Sequence, residues 1–135
     1  KVRVPPVALV LILALACLPA TAVGATEQSF KGKVVEGACT EIGIIVKIRV
    51  TARVGLTEQQ AAAERRPAVE EVRLDLNCPA PEASVKSFIR KQTLKKVVTV
   101  RFSNVDRGNR PMADVLLPGG RSLRALIEAR FPTRP

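Results

Sequence analysis

Residues 44–54 carry the clearest pattern in the chain: Ile44, Val46, Ile48, Val50, Ala52 and Val54 alternate with Ile45, Lys47, Arg49, Thr51 and Arg53. A period of two puts the first set on one face of a strand and leaves the other face largely basic. Residues 30–36 read as a strand before it, and Val72, Leu74 and Leu76 alternate with Arg73, Asp75 and Asn77 in a third. Between the second and third strands lie residues 56–68 (LTEQQAAAERRPA). Thr57 can cap a turn or two of helix there, and Pro67 stops it. Pro81 then precedes a helix with Val85, Phe88 and Ile89 on one face and Lys86, Arg90 and Lys91 off it, ending near Leu94. Val98, Val100 and Phe102 alternate with Thr99, Arg101 and Ser103 in a fourth strand. A polar turn follows at 104–109. Met112, Val115 and Leu117 read as a fifth strand, closed by Pro118-Gly119-Gly120, and Ser122 opens a short helix on Leu123, Leu126 and Ile127.

The first segment reads differently. Lys1 and Arg3 make a basic start, residues 7–18 are an unbroken apolar run, and Ala20-Thr21-Ala22 is a small-residue cleavage pattern. Together these predict a secretory signal peptide over 1–25, cut after Ala22 or Ala25. The apolar run is shorter than the ~20 residues that span a bilayer, so no transmembrane segment is expected in the mature form. A lipid anchor at Cys17 fits less well, because Ala14 stands where the attachment box usually has Leu. The expected location is secreted or periplasmic, with a domain over 26–135.

Charge narrows the partners. The chain carries 22 Lys and Arg against 12 Asp and Glu, a net +10; losing Lys1 and Arg3 leaves +8. Such an excess attracts nucleic acid or another polyanion, although a basic soluble protein without an anionic partner has the same count. Absences narrow the chemistry. No His is present, which removes imidazole bases, His-activated nucleophiles and ordinary zinc sites. With no Tyr or Trp and only four Phe, nucleic-acid binding would rest on phosphate contacts rather than base stacking.

The order strand, strand, strand, helix, strand, strand, helix is that of an α+β, five-stranded OB-type barrel with helices packed outside. The stretch VVTVRFSNVDRGNRPMADVLLPGGRSLRALI, with D-x-x-x-R-x-x-A-x-V at Asp106, Arg110, Ala113 and Val115, resembles the second half of the staphylococcal-nuclease (thermonuclease) family. That resemblance implies the family's barrel, and a site that cuts DNA or RNA with one calcium ion and two arginines. Arg73, in Val72-Arg73-Leu74, matches the first arginine and Arg110 the second. Glu82 stands where the family has its water-activating Glu, although Pro81-Glu82-Ala83-Ser84 is also an ordinary helix start, where a carboxylate suits the helix dipole.

The family's calcium ligands are where this chain departs. The motif D-G-D-T is replaced by Glu36-Gly37-Ala38-Cys39-Thr40, and the later ligand Asp falls on Cys78 or Pro79. Glu36 and Asp75 are weak substitute metal ligands. Calcium wants several oxygens including carboxylates, so no cofactor is expected unless nuclease activity is retained. The two cysteines of the expected mature part, Cys39 and Cys78, occupy roughly the two vacated positions. The resemblance implies that they converge and, in an oxidising compartment, pair.

Three functions follow as expectations. As a binding module, the protein holds polyanions through Arg73, Arg110 and the basic residues Lys47, Arg49 and Arg53, with cleavage weak or lost. As an enzyme, it is a metal-dependent phosphodiesterase using Glu36, Glu82 or Asp75. As an interaction protein, it meets a protein partner through the barrel surface or through residues 56–68, which are an insertion relative to the family that the chain resembles. Taken alone, Arg73 and Arg110 also read as ion-paired surface residues, with Asp75, Asp106 or Glu71 as partners.

Overall fold

Strands β1 (Gln28–Thr40) and β2 (Gly43–Val54) pair antiparallel in a long hairpin. The Thr40 hydroxyl donates to the Gly43 carbonyl at 2.8 Å and accepts from the Ile42 N–H at 3.2 Å, which tightens the turn. Gly43 has φ +112°, and a Cβ there would sit 2.8 Å from the Leu76 carbonyl oxygen, so the position requires glycine. The computed structural model describes residues 27–55 and 66–132. The expected signal peptide and the capped helical turn at Thr57 lie outside the described residues.

Strand β3 (Val69–Arg73) pairs with β2, and β4 (Val98–Phe102) pairs with the first part of β1. The result is a curled four-stranded antiparallel sheet in the order β3-β2-β1-β4. Helix α1 (Glu82–Thr93) connects β3 to β4, and α2 (Leu123–Arg130) ends the described chain. The class is α+β, as the pattern predicts. Among the described residues the sheet has four strands, not five.

The expected fifth strand is a string of single bridges. Met112 bridges Arg73 at the end of β3, and Leu116 bridges Thr99 in β4. This segment therefore touches both edges of the sheet without forming a ladder. The chemistry explains why. Pro111 and Pro118 have no N–H to donate, and the Val115 N–H is taken by Asp114 Oδ1 at 2.7 Å. The third strand is also displaced from its expected 72–77 register. Beyond Arg73 the chain leaves the ladder but keeps two bonds to Ile44, from Leu74 N–H to the Ile44 carbonyl and from Ile44 N–H to the Leu76 carbonyl, both at 3.0 Å.

Two bulges reset the facing of the central strands. The β1–β2 register skips Val35 on β1 and Thr51 on β2. One extra residue moves every later side chain to the opposite face. From Val46 to Val50 the alternation in β2 holds, with Ile44, Val46 and Ile48 fully buried, while Ile45 on the other face is covered as well, at 4% exposure. Past Thr51 it inverts: Val54 is 61% exposed, and Arg53 turns inward. The expectation that Arg53 shares the outer basic face with Lys47 and Arg49 is corrected by this bulge.

The core lies inside the curl, where Phe30, Ile48, Val72, Leu74 and Val100 meet Val85 and Ile89 of α1 and Leu123 and Ile127 of α2. Gly37 lets α1 come close, since a Cβ there would stand 2.6 Å from Ile89 Cδ1. Ser122 caps α2 by accepting the Ala125 N–H at 3.0 Å, and its hydroxyl donates to Asp114 Oδ2. Phe30 meets Phe102 edge-on, and Phe88 meets Phe131, with centroids 6.1 and 5.6 Å apart. All four aromatic rings are thus used in packing.

Candidate functional site

Arg73 is the last residue of β3, where the 111–113 segment docks: its N–H donates to the Pro111 carbonyl at 2.8 Å, and its carbonyl accepts from the Ala113 N–H at 3.2 Å. That docking carries the 104–110 turn to the strand's end. Asp106 organises the turn. Its Oδ1 accepts the N–H groups of Gly108 and Arg110 at 2.8 and 2.9 Å, an Asx-type turn. A Cβ on Gly108 would lie 2.3 Å from Arg110 Nη1, so glycine leaves room for the guanidinium to fold back.

The two arginines predicted from the sequence meet at the other oxygen of this carboxylate. Arg110 Nη1 lies 3.2 Å from Asp106 Oδ2 and Arg73 Nη1 lies 3.6 Å from it. Arg110 Nε also donates to Glu71 Oε1 at 3.1 Å. The Asp106 side chain is only 6% exposed, whereas Arg73 and Arg110 keep 31% and 33% of theirs in solvent. Burial of Asp106 opposes its ionisation, but the backbone N–H and guanidinium of Arg110, with the Gly108 N–H, outweigh it and hold the carboxyl below its usual range. Hydrogen bonds to Glu71 and Asp106 raise Arg110 further above its ordinary value. Among the described residues the Arg73 side chain makes no hydrogen bond, so its donors are unspent. The exposed apolar side chains of Ile42, Val105 and Met112 line the same cavity, of about 470 Å³, with Arg107 at its rim.

The remaining predicted residues do not converge there. Lys47 Nζ lies 3.4 Å from Glu36, and Lys86 Nζ lies 3.5 Å from the same carboxylate. The side-chain hydrogen bond and charge of Lys47, then the charge of Lys86, lower the Glu36 pKa. Arg49 is exposed. Arg53 is spent internally: it donates to Glu70 at 2.8 Å and to the Pro67 carbonyl at 2.7 Å, and it stacks 5.6 Å from the Phe30 centroid. The Asp75 side chain is 97% exposed, with Arg124 at 3.9 Å. Glu82 accepts the Cys39 N–H at 2.9 Å, tying the start of α1 to the end of β1.

Cys39 and Cys78 form a disulfide across 39 residue steps. The calcium site implied by the resemblance does not fit these side chains. The positions that the resemblance assigns to its aspartates, Cys39 and Cys78 or Pro79, carry no carboxylate, Glu36 is held by two lysines, and Asp75 and Glu82 face other partners. Among the described residues, no three His, Cys, Asp or Glu side chains are placed to hold a metal ion.

The sequence pattern gave no sign of the buried group Arg53–Glu70–Arg66. Glu70 is fully buried, and Arg66 bonds both of its oxygens, at 2.5 and 3.1 Å, as well as Asn109 Oδ1 at 2.6 Å. The one trace of it in the sequence is that the residues two positions either side of Glu70, Ala68 and Val72, are apolar.

No family model matches the chain, and no curated protein or solved structure does. The functional reading therefore rests on the geometry above. No helix among the described residues is long and apolar enough to cross a membrane.

Proposed function

We propose that this is an exported, staphylococcal-nuclease-like OB barrel that binds nucleic acid or a similar polyanion without efficient cleavage. The observation that carries the reading is the Arg73–Asp106–Arg110 arrangement: a nearly buried carboxylate holds two arginine side chains, each about one-third exposed, at one cavity. A guanidinium presents several N–H donors in a fixed plane that suits phosphate oxygens, and Arg73 has all of its side-chain donors unspent. Pre-orientation by Asp106 lowers the ordering cost when an anion arrives. In this reading the 111–117 segment plays the part of the barrel's fifth strand, and the disulfide joins the places where the family holds its metal.

Loss of cleavage follows from the acids. In-line hydrolysis needs a positioned water and a charge clamp on the phosphate. The arginines can supply part of the clamp, but Glu82, the one candidate base, is turned to the Cys39 N–H. The disulfide supports export, because such bonds persist in oxidising compartments.

The test is a titration of the full chain against a short fluorescent single strand, with cleavage followed in parallel with and without calcium. The reading expects binding that weakens steeply with salt and little sequence preference. Calcium-dependent cleavage would instead favour the metal-dependent nuclease.

A further inference from the structure

Away from the arginine cavity, the bulge at Val35 and the C-terminal half of α1 enclose a second cleft of about 580 Å³. Lys33, Lys86, Arg90 and Lys95 line it, and Val35 and Leu94 form apolar walls that are 50% and 56% exposed. Among the described residues its one acid, Glu36, is already shared between Lys47 and Lys86. Among the described residues, Lys33, Arg90 and Lys95 have no carboxylate within ion-pair distance. Four cations therefore face a concave site whose single acid does not balance them.

The turn that ends α1 adds an independent observation. The Lys96 N–H bonds the Thr93 carbonyl at 3.1 Å, Leu94 is extended (φ −60°, ψ 127°), and Lys95 has φ +61°. This is a type II turn with lysine where glycine is preferred. The left-handed backbone costs a side-chain-bearing residue stability, and the turn throws Leu94 into solvent beside Lys95. A strained, cation-bearing tip with an exposed aliphatic neighbour points to a use for both side chains.

We propose that this cleft docks on an anionic phospholipid surface. A headgroup phosphate sits among Lys33, Lys86, Arg90 and Lys95, while Leu94 and Val35 enter the boundary between headgroups and acyl chains. Val97, 44% exposed and next to the β4 residue that pairs with Gly32, extends the apolar contact. Basic residues near a membrane attract anionic headgroups, and aliphatic side chains gain from leaving water there. The alternatives fit less well. A single-stranded nucleic acid would find phosphate contacts but no ring to stack on, and the aliphatic walls would gain nothing. A peptide adding to the side of β1 beyond Gly32, where β4 no longer pairs, would meet the Val35 bulge and Lys33, features that block strand addition.

The experiment is co-sedimentation of the full chain with vesicles of phosphatidylcholine alone or mixed with phosphatidylglycerol. Comparing variants in the same chain cancels any contribution from residues 1–26. Binding is expected to be stronger to the mixed vesicles, and the excess over phosphatidylcholine alone should fall about fivefold for each cation removed by Lys33→Ala, Arg90→Ala or Lys95→Ala. Leu94→Ser should weaken it severalfold without altering the melting temperature. Lys95→Gly separates use from structure: it should raise the melting temperature by relieving the backbone while weakening vesicle binding. Arg73→Ala with Arg110→Ala should leave vesicle binding intact, so this proposal and the nucleic-acid reading fail separately. Equal binding to both vesicle types, or unchanged binding in the Lys95 and Leu94 variants, would overturn the proposal. Displacement of wild type from vesicles by a single strand, retained in the Arg73/Arg110 variant, would assign the cleft to nucleic acid instead.

Discussion

Arg53 reaches Glu70 at 2.8 Å inside the sheet because Thr51 is an extra residue in the β1–β2 register. Without that bulge Arg53 would point outward with Lys47 and Arg49. Glu70 has no solvent exposure, and Arg66 closes its other oxygen. The two guanidiniums also lie over Phe30 and Phe102, at 5.6 and 5.4 Å, so the charged group is packed against the aromatic pair of the core.

Glu70→Gln should therefore be strongly destabilising. It leaves two arginines around a neutral amide, and breaking a buried ion pair from one side costs about 3–5 kcal/mol. Arg53→Met, which keeps an apolar stem over Phe30 and leaves Arg66 on Glu70, should cost less. Urea unfolding of both variants checks the order. Equal, sub-kilocalorie effects would mean that the group is not a structural centre.

The Cys39–Cys78 disulfide joins the end of β1 to the segment leading into α1. Closing a loop of 39 steps is worth roughly 4 kcal/mol in the chain-entropy model. Cys39→Ser with Cys78→Ser should lower the unfolding free energy by that order. Alkylation of unreduced protein followed by mass spectrometry should leave both sulfurs unlabelled. Two labelled residues in protein recovered from an oxidising compartment would contradict the pairing.

Acid should weaken the fold through Asp106. Its carboxyl has a lowered pKa when folded, so its contribution is fully present above the unfolded value of about 3.9 and is lost as pH falls through the folded value. Glu36, also lowered, adds in the same direction. Asp106→Asn should be less stable than wild type at neutral pH, by about 1–3 kcal/mol for the lost charged acceptor. The gap should narrow as pH drops below about 4. Melting curves that stay parallel down to that range would show that Asp106 carries none of the acid sensitivity.

Much of this architecture follows from local patterns. The alternation of β2 up to Val50, the end of α1 at Leu94 and the Ser122 cap each depend on a few neighbouring residues. The pairing of Arg73 and Arg110 with Asp106 and Glu71 was among the readings their charges allowed, and the meeting of Cys39 with Cys78 was implied by the resemblance. Bulges escape such reading, because one extra residue such as Val35 or Thr51 leaves the composition of a strand unchanged while inverting everything after it. The inward turn of Arg53 follows from that inversion. The 111–117 segment kept its apolar period at Val115 and Leu117, but its prolines and Asp114 removed the donors that a ladder needs. The cleft between β1 and α1 is a product of packing between distant elements, and no local motif announces it.

The most direct test of the central claim compares wild type with Arg73→Ala/Arg110→Ala on a short single strand at low and moderate salt. Neutralised phosphates release counterions, so each lost contact lowers both the affinity and the salt slope. If the two arginines form the anion site, the double variant should bind more weakly at low salt, with a slope shallower by roughly one to two units. Equal affinity and equal slope for the two proteins would contradict the account and leave Arg73 and Arg110 as structural partners of Asp106.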